Sequence, residues 1–327
     1  MTGSVPPRER GVAMQQHSSL IGIFVIGCGL LTNGNPAEAA IETWVSRTGT
    51  DSGTCQISAP CRTFAFAHGQ TSTHGSINVL TAGNFGPLTI TKTISIVAQG
   101  VEAVINTGAN GAGIIVQTGA NAIVSLRGLT IDMRGSANIG VSFVSGKALH
   151  IHDSVIRRAI DGIKFAPASG ISELTVTDSV IADTGSVGIF VFPTGSGGAK
   201  VAIDRVRVEN SSNDGILFAG SSTTGSIAGT VRDSVSTGNF GLGSIMAEES
   251  APGTTTIMID RSASLYSGVG IRAQGAGAKI LIGDSTVSGN VEGLAPTGGG
   301  EILSYGTNKV NGNDTDGNPT GSVILMK

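Results

Sequence analysis

The densest stretch of chemically capable side chains is HIHDSVIRRAIDGIK, which holds His150, His152, Asp153, Arg157, Arg158, Asp161 and Lys164. Imidazoles and carboxylates exchange protons near neutral pH, and Arg and Lys hold a resident or developing negative charge. An extended chain puts His150 and His152 on one outward face, because side chains alternate along a strand. If neighbouring strands bring Arg127, Asp132, Arg134 and Asp183 alongside, the product is a groove for an anionic sugar. On a solvated face the same residues make ordinary pairs, such as Asp161 with Lys164, and both readings stay open. A second charged run, Asp204, Arg205, Arg207 and Glu209, carries the same two readings.

Familiar signatures of other chemistries are absent. The chain has no G-x-S-x-G elbow, Walker A loop, H-E-x-x-H or G-x-G-x-x-G fingerprint. The run NGNDTDGN has the look of a calcium loop, but setting Gly317 at its sixth position puts Gly312 first and Val323 twelfth, where carboxylates belong. Grooves for sugars present Trp or Tyr faces, and only Trp44, at the extreme start, Tyr266 and Tyr305 are available, a scarcity that counts against glycan processing. No cofactor or metal site is expected on these grounds.

What must position these residues is a repeat. Asp153, Asp178, Asp204, Asp233, Asp260 and Asp284 follow one another at intervals of 25, 26, 29, 27 and 24 residues. Thr307 takes the aspartate's place in a final degenerate copy. Nine to eleven residues after the aspartates come Gly162, Gly188, Gly215, Gly243, Gly270 and Gly293. Between them lie short alternating runs of Val, Ile and Thr separated by Gly, Asn, Asp and Ser, which is strand-and-turn punctuation. Helical repeats would need Ala/Leu/Glu/Lys-rich segments, and a propeller blade needs about 40–50 residues. A unit near 26 residues suits three strands and three turns, one coil of a parallel β-helix. The aspartates are then turn residues, since an Asp side chain bonds the backbone two residues on. Six residues after the aspartates stand Thr184, Asn210, Asn239, Tyr266, Asn290 and, after Thr307, Asn313. Asn210, Asn239, Asn290 and Asn313 are expected to stack as a hydrogen-bonded ladder, with the following glycines supplying left-handed turns.

The repeats resemble right-handed parallel β-helix proteins of the pectate-lyase-like superfamily, and the chain resembles secreted bacterial members of unassigned activity. Two segments carry the likeness: Trp44-Val45-Ser46-Arg47-Thr48-Gly49-Thr50-Asp51 and Ala59-Pro60-Cys61-Arg62-Thr63-Phe64. The resemblance implies an all-β solenoid over nearly all of 42–327, with a short N-terminal capping helix that plugs the coil with Phe64, Ala65 and Ala67. It also implies two enzymatic alternatives. Lyases of this fold hold Ca²⁺ with carboxylates and set an Arg or Lys near the sugar's α-proton, and the glycoside hydrolases cluster aspartates on one sheet face. Here the aspartates come one per coil, which turn formation alone requires, and fold does not fix function.

Composition agrees with a solenoid. The 327 residues include 50 Gly and 13% charged residues, with a formal net charge of −3, so neither nucleic acid nor an anionic membrane is an expected partner. Residues 1–39 read as a signal peptide: Arg8 and Arg10, an apolar core from Leu20 to Leu31, then Ala37-Glu38-Ala39. Met14 is an alternative start, and Val25-Ile26-Gly27-Cys28 resembles a lipobox, a minority alternative to cleavage near Ala39. Twelve apolar residues are short of the roughly 20 a membrane span needs. Cleavage leaves Cys55 and Cys61, an even pair that reads as a disulfide in an exported chain. The expected organisation is therefore a signal peptide (1–39), an N-terminal cap segment with the disulfide (40–75) and a β-helix of roughly ten coils (76–327). The expected function is a secreted, non-catalytic scaffold acting at surfaces or on extracellular polysaccharide or cell-surface glycan. The alternatives are a polysaccharide lyase or hydrolase centred on His152–Lys164, with Ca²⁺ only in the lyase case, and a structural or adhesive envelope protein.

Overall fold

Alternating Val and Ile at period two can bury one face of a strand, and three such strands per repeat enclose a core when the repeats stack. The computed structural model describes residues 40–106, 111–135, 138–250 and 252–324 in this form; the leader read at 1–39, with Cys28, lies outside them. All named strands are parallel and fall into three sheets of eleven, ten and ten strands, each strand bonded to its counterpart one repeat away. One coil runs from Ile171–Thr177 in the first sheet through Val180–Ala182 in the second to Ile189–Val191 in the third. The chain then re-enters the first sheet at Gly198–Asp204.

Inward positions stack like on like. Val176, Ile203, Val231, Ile259 and Ile282 form one column, and Ile163, Ile189, Ile216, Ile245 and Ile271 another, all buried. Phe143 stacks on Phe165 in the next coil with ring centroids 4.3 Å apart. At the N-terminal end the helix Phe64–Gln70 covers the core. Thr63 caps it by accepting from the Phe66 N–H at 3.2 Å, and Phe64 lies 5.1 Å from the Phe85 ring. Phe64 and Ala67 are buried as expected, but Ala65 is exposed on the outer side of the helix, as the 100° step between successive helical residues requires. The Cys55–Cys61 disulfide is present, and Asp51 accepts from the backbone N–H groups of Arg62 and Thr63 at 2.8 and 2.9 Å. The strand before the helix, Ala40–Val45, already belongs to the first sheet and pairs with Thr71–Val79.

The turns differ in register from the expectation. In the first turn the left-handed residue is Asp153, Asp178, Arg205, Asp233, Arg261 and Asp284 in successive coils. Asp204 and Asp260 stand one residue earlier, at strand ends, paired across the sheet with Thr177 and Arg232. The second turn inherits the shift: its left-handed residues are Arg158, Asp183, Asn210, Gly238, Tyr266, Gly289 and Gly312. Asn210 is therefore not in the ladder but exposed beside it, and its rung is Ser211. The N–H of Ser211 donates to Asn239 Oδ1 at 3.0 Å, that of Asn239 to Ser267 Oγ at 3.1 Å, and that of Ser267 to Asn290 Oδ1 at 3.0 Å. Asn290 N–H donates in turn to Asn313 Oδ1 at 3.0 Å.

The repeating glycines are not left-handed, contrary to expectation. They sit where coils approach closely: a Cβ on Gly162 would stand 2.5 Å from the Gly188 carbonyl oxygen and 2.5 Å from Ile181 Cγ2. Gly243 falls outside this column, and Ser244 takes the place instead.

Candidate functional site along the second turn

Polar residues meet across coils about 25 residues apart, so the His150–Lys164 run is wrapped around the coil and not gathered. His150 and His152 point outward from the first sheet, as expected, with His152 Nδ1 2.7 Å from Thr177 Oγ1 and 3.3 Å from Asp178 Oδ2. Arg127 pairs with His152 across that sheet. Asp153 occupies the first turn, Arg157 the second sheet and Arg158 the second turn. Asp161 accepts from the Val187 N–H at 3.2 Å and makes no ion pair with Lys164. Lys164 lies on the third sheet, 5.7 and 5.8 Å from the Phe190 and Phe192 ring centres.

The first-turn edge is an ionic ladder. Arg205 clamps Asp178 of the preceding coil through Nε and Nη2 at 2.6 and 2.9 Å, and Arg261 clamps Asp233 in the same way at 2.9 and 3.0 Å. Arg205 also bonds Asp204, Arg232 bonds Asp204 at 2.9 Å, and Arg207 pairs with Glu209. These guanidinium bonds hold the Asp178 and Asp233 carboxyls below their usual range. Of the second charged run, Asp204 and Arg205 are thereby engaged with neighbouring coils, and Arg207 and Glu209 with each other on one strand. Beneath it runs a serine ladder: the Ser154 N–H donates to Ser179 Oγ and the Ser234 N–H to Ser262 Oγ, at 3.1 and 3.2 Å.

The second-turn edge does gather part of the expected cluster. Asp132 is buried, and its carboxylate accepts from Arg157 Nε at 3.0 Å, from Arg158 Nε at 2.7 Å and from Arg158 Nη2. The backbone N–H of Arg134 adds a bond at 3.1 Å. The Arg158 hydrogen bonds, aided by the Arg134 N–H and both guanidinium charges, hold Asp132 below its ordinary value against the opposing effect of burial. Asp183 follows one coil on and accepts from Asn210 Nδ2 at 3.2 Å. Over these residues lies an open groove of about 520 Å³ lined by Arg158, Ile160, Asp183, Thr184, Asn210 and Ser212.

Farther along the same edge stand two exposed aromatic side chains. Phe240 is 74% and Tyr266 70% exposed, and no other aromatic ring among the described residues is as open. Tyr266 is one of the three rings the sequence singles out, whereas Phe240 is not among them. Its signal was an aromatic bracketed by glycines in a turn, GNFGLG. Buried Asp214 accepts from the Gly243 N–H at 2.7 Å and from the Leu242 N–H, fixing the loop that carries Phe240. Burial nevertheless pushes the Asp214 carboxyl above its usual range. Trp44 and Tyr305 are only partly exposed and lie away from this edge. Among the described residues no group of three or more His, Cys, Asp or Glu could hold a metal ion. No described helix is long and apolar enough to cross a membrane.

No protein-family model matches the chain, and no curated protein does. Among solved structures it is similar to pectate lyase Pel9A, at 14% identity and a TM-score of 0.47, over 83% of this chain and 70% of that one. It also matches ORF18 of Geobacillus virus E2, at 14% identity and a TM-score of 0.29, where 72% of this chain spans about half, 52%, of the other. At such identity the likeness concerns the fold alone.

Proposed function

We propose that the protein is an exported, non-catalytic β-helix scaffold that binds an extracellular polysaccharide or cell-surface glycan. The observation that carries this reading is how the charged groups are spent. Across the first and second turns, Asp132, Asp178, Asp204 and Asp233 are bound by Arg157, Arg158, Arg205, Arg232 and Arg261 of the same or adjoining coils. A general acid or base needs a carboxyl poised between two protonation states near the working pH, and Asp214, whose carboxyl burial raises, is instead taken up by the Leu242 and Gly243 N–H groups. Guanidinium bonds hold the Asp132, Asp178 and Asp233 carboxyls below their usual range, so these stay ionised and serve to lock the coils together. Export is supported by the Cys55–Cys61 disulfide and by the apolar Leu20–Leu31 run before Ala37-Glu38-Ala39.

The experiment is a glycan array probed with the chain from residue 40, paired with incubation on uronate polymers with and without Ca²⁺. Glycan binding without new unsaturated or reducing ends is the expected outcome. Product formation overturns the non-catalytic part, and an array without a hit overturns the glycan part. N-terminal sequencing of protein recovered from the medium tests export, with Ala40 as the expected first residue.

A further inference from the structure

We infer that the N-terminal cap is an acid-released latch: a proton on His68 Nε2 breaks the bond that holds the helix Phe64–Gln70 to the coil at Thr91, and the helix lifts from the end of the solenoid. The latch lies in a different part of the molecule from the turns discussed above and stands independently of the glycan reading.

The helix is fastened at both ends. On its N-terminal side Asp51 accepts from the Arg62 and Thr63 N–H groups and from the Thr63 hydroxyl, and the Phe64 N–H donates to the Phe85 carbonyl oxygen at 3.1 Å. On its C-terminal side the fastening comes from the turn after the strand Leu88–Ile90. The Thr91 N–H donates to His68 Nε2 at 3.3 Å, and Lys92 Nζ donates to the carbonyl oxygen of Thr71, the residue that ends the helix. A backbone N–H can only donate, so Nε2 is the lone-pair nitrogen of a neutral ring. A second proton on His68 removes that acceptor and sets an imidazolium and an ammonium side by side at one turn.

Nothing packed against the helix compensates that charge. The strand Ala40–Val45 carries Glu42 and the strand Thr71–Val79 carries His74, both exposed; Leu88–Ile90 carries no titratable group, and Lys92 follows it. Ahead of the helix, Asp51 is taken up by the N-terminal N–H groups and Arg62 donates to the Asn84 carbonyl oxygen at 2.6 Å. Burial, and after it the charge of Lys92, bring the His68 ring from its ordinary 6.5 down to about 4. A ring that binds its proton less tightly docked than free contributes its full support to docking above the free value and loses it as pH falls. Docking therefore weakens about tenfold per pH unit from 6.5 down to about 4 and levels off below, where both states carry the proton. Release withdraws Phe64 and Ala67 from the core and uncovers Phe85, while the pairing of Ala40–Val45 with Thr71–Val79 keeps the segment attached.

The test is amide exchange of the purified protein between pH 7 and pH 3.5, each rate divided by the intrinsic rate at that pH. Phe64 and Ala67 report the cap, because a helix of seven residues does not hold its own hydrogen bonds once undocked. Ser211 and Asn239, in the ladder, report the body of the solenoid. The parent is compared with His68→Gln, which stays uncharged and offers Thr91 a carbonyl oxygen, and with His68→Lys, which is charged throughout. The expected result is protection at Phe64 and Ala67 that falls about a hundredfold from pH 7 to pH 4 in the parent. Ser211 and Asn239 keep theirs, His68→Gln flattens the response, and His68→Lys is open already at pH 7. An equal fall in the parent and in His68→Gln assigns the release to other groups, Asp51 first, and overturns the latch. A fall shared by Ser211 and Asn239 is general acid unfolding and overturns it too, as does a His68 ring signal that titrates at its ordinary value. The comparison with His68→Gln decides alone if His68→Lys does not fold.

Discussion

Gly215 leaves open the space that the Asn239 amide fills: a Cβ there would stand 2.6 Å from Asn239 Nδ2 and 2.5 Å from the Ser244 carbonyl oxygen. The same pairing recurs between Gly270 and Asn290, at 2.9 Å, and between Gly293 and Asn313, at 2.8 Å. Glycine and asparagine in this repeat are one device. The glycine of one coil makes room for the amide of the next, whose oxygen then accepts a backbone N–H of the preceding coil.

Gly188 keeps that room where only Ser211 stands, and the Ser211 hydroxyl has no hydrogen-bond partner. Ser211→Asn should extend the ladder by one rung towards Thr184 and add about 1 kcal/mol of stability. Urea unfolding checks this, and a midpoint at or below that of the parent would count against the pairing.

Gly162→Ala should destabilise by about 1–3 kcal/mol, since the new methyl group meets backbone that cannot move without shifting a coil. Gly86, left-handed with open space around it, provides the contrast. Gly86→Ala carries only backbone strain, so the larger loss of melting temperature belongs to Gly162→Ala.

Asp132, with its carboxyl lowered in the fold by Arg158, contributes stability that is present above its unfolded value and lost as pH falls through its folded one. Asp132→Asn should cost stability at pH 6 and progressively less below about pH 4. Thermal unfolding across that range reads it, and a cost independent of pH would show that the ion pairs are idle.

Asp214 has the opposite sign. Its raised value means that its contribution is full below the unfolded value and declines as pH rises through the folded one. The stability of Asp214→Asn relative to the parent should therefore rise from pH 3 to pH 7. Asp214→Ala, which leaves the Leu242 and Gly243 N–H groups without their acceptor, should loosen the Phe240 loop and speed its amide exchange.

The fold was legible because period-two apolar runs and a 26-residue recurrence are properties of composition and spacing, which tertiary context cannot conceal. The phase of the turns was less so. Asp is a favoured left-handed residue, and that preference aligned Asp204 and Asp260 with Asp178, although Arg205 and Arg261 hold the turn. A one-residue slip there moved the ladder from Ser211 to Asn210. The clustering of His150 to Lys164 misled for a geometric reason: in a coil, residues ten apart face different sheets, and real neighbours lie a whole repeat away. Asp132 with Arg157 and Arg158 was within reach of that rule, while Phe240 needed knowledge of which turn side chains stay uncovered.

The left-handed column of the first turn alternates in sign from Asp178 through Arg205, Asp233 and Arg261 to Asp284. Such a column has a parity. Excising one coil would bring two carboxylates, or two guanidiniums, into the same clamp, whereas excising two would restore every pairing. Within this stretch the molecule can therefore lengthen or shorten by even steps at little electrostatic cost, and odd steps set like charges face to face.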